Sequence, residues 1–299
     1  MIANITVLMA VHNGAPYLKI AIESILDQTY RDFIFLIVDD ASTDNTREII
    51  QSYSDPRIRL IPLGKNVGQT AALNIGLHQA STPWIARMDA DDYSSPTRLE
   101  EQLRMINNDP GLCCVGTFAW VFTKEPTVIE QIWTRPTTDA EIRHGLLKTP
   151  PIIHGSIVVN REALLEVGAY NERYRYSADF DMYHRLLTPD RRAANVARPL
   201  LGIRKHDQQG SRSVVGIDET IDIYLRRLSL HIHSKDESVT IREALSFFYL
   251  LRARHYLKEK KIGFPLLQAV LRAFITSPRT LIQNCSHGMK EIIKTFYHR

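Results

Sequence analysis

Asp89, Asp91 and Asp92 fall within four consecutive positions of "IARMDADDYSSP", residues 85–96. Carboxylates this close repel one another unless a cation lies among them. Clustered oxygens suit a hard divalent ion: Mg2+ typically takes one or two protein carboxylates and fills its shell with water and phosphate oxygens, and Mn2+ accepts a similar set. An EF-hand loop uses carboxylates differently and needs a central Gly, which "DADDYSSPTRLE" lacks. Neither G-x-G-x-x-G nor G-x-x-x-x-G-K-[ST] occurs, so phosphates would be met by metal and side chains. A nucleotide diphosphate is the natural source of the remaining oxygens.

Something must hold these acids at an edge, and the elements around them supply it. "ITVLMAV" reads as a strand ending in His12, Asn13 and Gly14, "FIFLIV" as a second ending in Asp39 and Asp40, "RIRLIPL" as a third, and "WIARM" as a fourth ending in the three acids. Between them lie "PYLKIAIESILDQ", with Leu18, Ile22, Ile25 and Leu26 on one helical face, "STDNTREIIQSY", capped by Ser42 or Asp44, and "QTAALNIGLHQA". Strands and helices that alternate in this way imply an α/β fold, a mostly parallel sheet with helices on both faces. Ligands of such sheets bind beyond the carboxyl ends of the strands, so three polar clusters converge on one edge. Asp39-Asp40-Ala41-Ser42 taken alone suits a plain turn and helix cap equally well.

Beyond the acids, Ser95 and Pro96 read as N-cap and first residue of a helix carrying Leu99, Leu103 and Ile106. "LCCVGTFAWVF" reads as a buried strand, and residues 123–154, with Pro126, Pro136, Pro150 and Pro151, as loop-rich. "GSIVV" as a strand, "REALLEV" as a helix ended by Gly168, "DFDMYHRLL" as a helix and "NVARPLLGI" as a strand or extended edge follow. From Asp218 the pattern is helical, with Gly216 marking the boundary, so the expected domains are 1–215 and 216–299.

With 299 residues, 44% apolar and 23% charged, the composition is that of an ordinary globular protein and names no function. The net charge of +4 conceals an asymmetry: residues 241–299 hold eleven Lys and Arg against Glu243, Glu259 and Glu291. An acidic front argues against a nucleic-acid partner, and the cationic tail suits either an anionic surface or a solvated helical face. Cys113, Cys114 and Cys285 form no C-x-x-C pair and no disulfide framework, which fits a reducing compartment. The amino terminus has no basic n-region and reads as a strand, not a signal peptide. "IGFPLLQAVLRAFIT" is too short to span a bilayer and contains Arg272; it can lie in a membrane interface or pack as a surface helix.

"ITVLMAVHNG", "LIVDDASTDNT", "NVGQTAALNIGL", "WIARMDADDYSSPTRLEEQ", "IIHGSIVVNREALLEVGAYNE" and "SADFDMYHRL", in this order over about residues 3–210, resemble the family 2 glycosyltransferases of GT-A fold, a Rossmann-like sheet. The resemblance implies a nucleobase pocket lined by Ala10, Val11 and His12, with a carboxylate of Asp39 or Asp40 accepting from the base; uracil, with its imide N–H, suits such an acceptor. It implies Asp91 as the direct ligand of Mn2+ or Mg2+, Asp89 reaching toward ribose or sugar, and Asp92 supporting the turn. Gly68 and Asn74 would lie beside the nucleotide sugar, or serve helix packing. The family's acidic pair at a helix start reads Ala178-Asp179 here, so Asp179 is the implied base, without the like-charge neighbour that could raise its pKa. Asp181, two residues on, points elsewhere on the helix. Arg204 and His206, with Lys205 and Arg212 in the loop 203–213, would meet the diphosphate, or form a solvated basic loop. His154 would face the acceptor, or be a structural histidine.

The implied reaction is a single displacement on a nucleoside diphosphate sugar, with inversion and no enzyme nucleophile, the acceptor being a hydroxyl of a glycan or lipid-linked glycan. Two rivals are a phosphohydrolase, whose D-x-D would follow the first strand, and a non-catalytic nucleotide-sugar-binding protein on the same scaffold. Gln209-Gly210-Ser211-Arg212 followed by Ser213, not Trp, together with the lack of spanning helices, points to single additions. The expected location is cytoplasmic, with peripheral contact at the inner membrane face through 241–299 as one reading of the tail.

Overall fold

In the computed structural model, which describes residues 4–206, 214–230, 234–261 and 263–277, the alternation of the first hundred residues becomes a parallel core. β1 (Ile5–Val11), α1 (Ala15–Leu26), β2 (Phe33–Asp39), α2 (Thr46–Gln51), β3 (Ile58–Pro62), α3 (Gln69–Gln79) and β4 (Trp84–Asp89) follow one another. β1 lies between β2 and β4, with β3 outside β2, all parallel. Every residue of β1 is buried, which is why its sequence reads as an unbroken apolar run: helices cover both faces. Leu18, Ala21, Ile22 and Ile25 form the face that α1 buries, while Leu26 is only partly covered.

The chain continues as β5 (Tyr93–Ser94), α4 (Arg98–Asn108), β6 (Leu112–Phe122), β7 (Gln131–Trp133), α5 (Asp139–Leu146), a single 3-10 turn (His154–Ser156), β8 (Val158–Asn160), α6 (Arg161–Glu166), α7 (Ala178–Leu186) and β9 (Arg192–Arg204). Among the described residues the strands form one sheet of order β3-β2-β1-β4-β8-β6-β9-β5, with β7 pairing β6. β8 runs antiparallel to β4 and β6, so beyond β4 the sheet is mixed.

Several local expectations change. α4 starts at Arg98 with Thr97 as N-cap, not at Ser95-Pro96; Ser94 and Ser95 instead join the edge beside β9, the Ser95 N–H bonding to the Leu200 carbonyl at 3.0 Å. The loop-rich stretch contains α5 and β7. Its overlooked signal is Thr138-x-x-Glu141: the Glu141 carboxylate accepts from the Thr137 and Thr138 amides at 3.1 and 3.2 Å, and the Glu141 amide donates to the Thr138 hydroxyl at 3.4 Å, a capping box. "GSIVV" is only partly strand, since Gly155 and Ser156 belong to the 3-10 turn.

The described residues of 147–149 and 214–277 belong to a second compact unit. Its described helices are α8 (Val214–Ser229), α9 (Lys235–Lys258) and α10 (Phe264–Thr276). α8 runs through Gly216 and so begins ahead of the expected helical start at Asp218. Ser234 and Glu237 form a full capping box at the start of α9, the Arg252 guanidinium bonds to Asp218 at 2.9 Å, and the Ser246 hydroxyl donates to the Ala273 carbonyl at 2.9 Å. Arg212, Ser213 and Cys285 lie outside the described residues, as does the tail from residue 278.

Candidate active site

The carboxyl ends of β1, β2 and β4 are neighbours in the sheet: Val11 pairs with Asp39 and Ala10 with Asp89. The loops after β1 and β2 are tied together by side chains. Ser42 accepts the Asn13 amide at 2.9 Å, the Asn13 side-chain carbonyl accepts the Thr43 amide at 2.8 Å, Thr46 accepts the Gly14 amide at 2.8 Å, and Asp44 accepts the Ala15 amide at 3.1 Å. Asn13 adopts the left-handed conformation (φ 54°), which asparagine tolerates better than most residues. Gly14 is required by close approach, because a Cβ there would lie 2.5 Å from a Val11 methyl. His12 is exposed, its Nδ1 2.8 Å from the Asp40 carbonyl oxygen; Ala10 and Val11 are buried beneath it.

Asp39 and Asp40, expected to offer a carboxylate to a base, are both buried and engaged. Asp39 accepts the Ser42 amide at 3.1 Å and both Nε and Nη2 of Arg47 at 3.0 and 2.8 Å. Asp40 accepts the amides of Val67 and Gly68 at 2.7 and 2.9 Å, which fixes the approach to α3. Gly68 there has φ 89°, where a Cβ would be strained. Asn74, expected beside the sugar or in helix packing, spends its amide on the Tyr170 backbone (2.9 and 3.0 Å) and on Glu172 (2.9 Å).

The acidic turn gathers one carboxylate oxygen from each of Asp89, Asp91 and Asp92 within 4.8 Å. Each acid has a different partner. Asp89 pairs with Arg87 and accepts from Gln69 Nε2 at 3.2 Å. Asp91 meets His206 Nε2 at 2.8 Å. Asp92 is buried, accepts the Arg204 amide at 3.0 Å, and has its pKa raised well above the carboxylate range by burial first and by the charge of Asp91 second. A cluster of three carboxylates, each offering an oxygen within this distance, suits a hard divalent cation.

Arg204 is not in a loop. It is the buried last residue of β9, and its guanidinium donates to the carbonyls of Asp91 (3.0 Å), Thr123 (3.2 Å) and Lys124 (2.8 Å) while lying over the Tyr17 and Phe122 rings. Here it braces the acidic turn from behind. The His206 ring lies against Tyr17, tilted by 35° with centroids 5.1 Å apart, so one tyrosine from α1 contacts both residues.

Asp179 sits in the first turn of α7 behind Ser177, with Ala178 buried as the first helical residue. Burial raises its pKa to about 6, against the opposing pull of the Phe180 amide, which it accepts at 2.8 Å, and of Arg87. The raised pKa that an acidic neighbour could have supplied is therefore obtained by desolvation. Asp181 is taken up by Arg185 at 2.7 Å on its own helix. His154 Nε2 meets the Tyr170 hydroxyl at 2.9 Å; burial and then Arg87 lower its pKa, so it stays neutral.

Arg87 went unnoticed in the sequence. It is 4% exposed, and burial lowers its pKa against the pull of Tyr170, Asp92, Asp91 and Asp179, each of which favours its charged form. The available signal was its place in β4: two residues before Asp89, it points to the same face of the strand. Arg98, fully buried, donates to the Arg87 and Gly155 carbonyls at 3.3 and 3.0 Å and keeps the turn attached to the His154–Ser156 segment.

A profile described as Glycosyl transferase family 2 matches residues 6–168. Putative glycosyltransferase EpsE of Bacillus subtilis is 31% identical over 76% of this chain and 83% of its own length. The O-antigen biosynthesis glycosyltransferase WbnJ of Escherichia coli is 31% identical over 74% of this chain and 87% of its own. Among solved structures, S. aureus TarS 1-349 in complex with UDP-GlcNAc superposes with TM-score 0.71 at 15% identity, over 90% of this chain and 79% of that one. Mannosyltransferase PcManGT from Pyrobaculum calidifontis, in complex with GDP-Man and Mn2+, superposes with TM-score 0.63 at 16% identity, over 100% of this chain and 88% of that one. At such identities the structures share a fold with this chain.

Proposed function

Because the chain belongs to the family 2 glycosyltransferases and has their GT-A fold, we propose that it moves a sugar from a nucleoside diphosphate donor, a UDP-sugar by preference, to a hydroxyl of a glycan or lipid-linked glycan. The reading makes it metal-dependent, inverting and non-processive, acting on the cytoplasmic side of the membrane. The observation that carries it is the gathering of the Asp89, Asp91 and Asp92 oxygens in one acidic turn, with Asp89 paired to the buried Arg87 and Asp179 within its electrostatic reach.

In this reading Asp91 holds Mn2+ or Mg2+ and Asp89 reaches toward the donor. Bound there, the ion supplies neutralisation of the negative charge that grows on the departing diphosphate. Asp179 accepts the proton of the acceptor hydroxyl as the new glycosidic C–O bond forms and the bond to the diphosphate breaks. With a pKa of about 6 it is about 90% ionised at pH 7, yet basic enough to take the proton. His206, already beside Asp91, approaches the phosphates, and His154 with Tyr170 borders the acceptor side. The uracil preference rests on a carboxylate of Asp39 or Asp40 accepting the imide N–H; a base contact at Asp39 requires the half-exposed Arg47 to give up an oxygen.

A panel of UDP-, GDP- and dTDP-sugars with Mn2+ or Mg2+, run on wild type, Asp91→Ala and Asp179→Asn, tests the proposal. Metal-dependent nucleotide release by wild type, lost in Asp91→Ala, is expected. Asp179→Asn is expected to bind donor and fail to transfer. Donor binding without turnover by wild type across the panel, with acceptor extracts supplied, would show a binding protein in place of an enzyme.

A further inference from the structure

We infer that the outward face of α10 docks into the headgroup region of an anionic lipid bilayer. At about 100° per residue, Leu266, Ala269 and Ala273 fall on one side of α10, where they are buried in the helical unit, Leu266 and Ala269 packing with Ala253 of α9. Phe264, Leu267, Leu271, Phe274 and Ile275 fall within an arc of about 100° on the opposite side, and each is between 50% and 76% exposed. The helix is thus apolar on two faces, and among the described residues only one is covered. A continuous stripe of large apolar side chains marks an interaction surface, whereas scattered exposed ones do not.

The surrounding charge selects the occupant. Lys258, Lys260 and Lys261, with Glu259 among them, lead into α10, Arg272 flanks the stripe, and no further acidic residue occurs from Lys260 to Ser277, which leaves this stretch cationic. Apolar side chains flanked by lysine and arginine suit the acyl–headgroup boundary of a bilayer containing anionic lipid. A second copy of the chain fits poorly. A two-fold contact would set the same lysines against one another, and a helix face about 20 Å long and about 10 Å wide covers on the order of 200 Å2, against about 800 Å2 per partner in a stable dimer. The surface concerns the helical unit alone and holds whichever donor the active site uses.

Co-sedimentation of the full chain with phosphatidylcholine vesicles, with and without phosphatidylglycerol, tests the inference, with the mass in solution followed by light scattering. Binding to the anionic vesicles only, weakened by salt, is expected. Lys258→Glu/Lys260→Glu/Lys261→Glu should lower the partition coefficient by about 100-fold. Leu267→Glu/Leu271→Glu should abolish binding while helicity and nucleotide release match wild type, since both side chains point outward. The inference is overturned if wild type ignores anionic vesicles, if Leu267→Glu/Leu271→Glu binds as wild type does, or if that variant converts a wild-type dimer to monomer.

Discussion

A carboxylate that accepts a proton at neutral pH needs a raised pKa without a permanent proton, and Asp179 gains this from burial. Transfer should therefore rise with pH through about 6 as Asp179 ionises, measurable as the acid limb of a kcat/KM profile. Asp179→Asn should lose about 100- to 10,000-fold in kcat. The stability effect has the opposite sign. The folded pKa of about 6 exceeds the unfolded 3.8, so protonation favours the fold, and stability falls as pH rises through that interval. Asp179→Asn, which cannot ionise, should accordingly melt higher than wild type at pH 7. Arg87 opposes the rise in the Asp179 pKa, so Arg87→Met should move the acid limb above 6 and Arg87→Lys should restore it. At this scale the acids were legible because like charges crowded in sequence demand an explanation. Their partners were not: Arg87, Arg98 and Arg204 look like any arginine in a strand or helix until packing buries them.

Among the elements, the loops after β1 and β2 are ordered by side chains that read as ordinary turn residues. Asp40 illustrates how far one carboxylate reaches, since its two oxygens hold the amides that start α3. Asp40→Ala should leave both without an acceptor and cost about 3 kcal/mol, a fall in Tm on the order of 6–12 °C by thermal denaturation. β1 to β4 were readable because strands buried on both faces keep an unbroken apolar run and helices between them keep a 3.6 period. α5 and β7 were hidden among prolines. Ser95-Pro96 imitates a helix start but serves the β5 edge, because tertiary pairing with β9 outweighs a local capping preference. Arg204 was misplaced for a related reason: β9 runs on past the apolar stretch "NVARPLLGI", and its last residue turns inward to aromatic rings and carbonyls that sequence does not reveal.

For the molecule as a whole, an α/β unit carries all the residues of the candidate site, and a separate helical unit carries most of the excess positive charge. The first was recognisable because its motifs recur at linked spacings. The second has only a helical pattern and a charge count, and among its described residues no helix is long and apolar enough to cross a membrane. In the proposed function the first unit acts through its acidic turn, which serves as a metal and diphosphate site for sugar transfer. The most direct test is sugar transfer from the best donor in EDTA and after Mn2+ is restored, for wild type and Asp91→Ala side by side. Wild type should be silent in EDTA and recover with Mn2+, and Asp91→Ala should remain at least about 100-fold below it at saturating metal. Transfer by wild type that persists in EDTA, or equal rates for the two proteins, would mean that the acidic turn is not a metal site for sugar transfer.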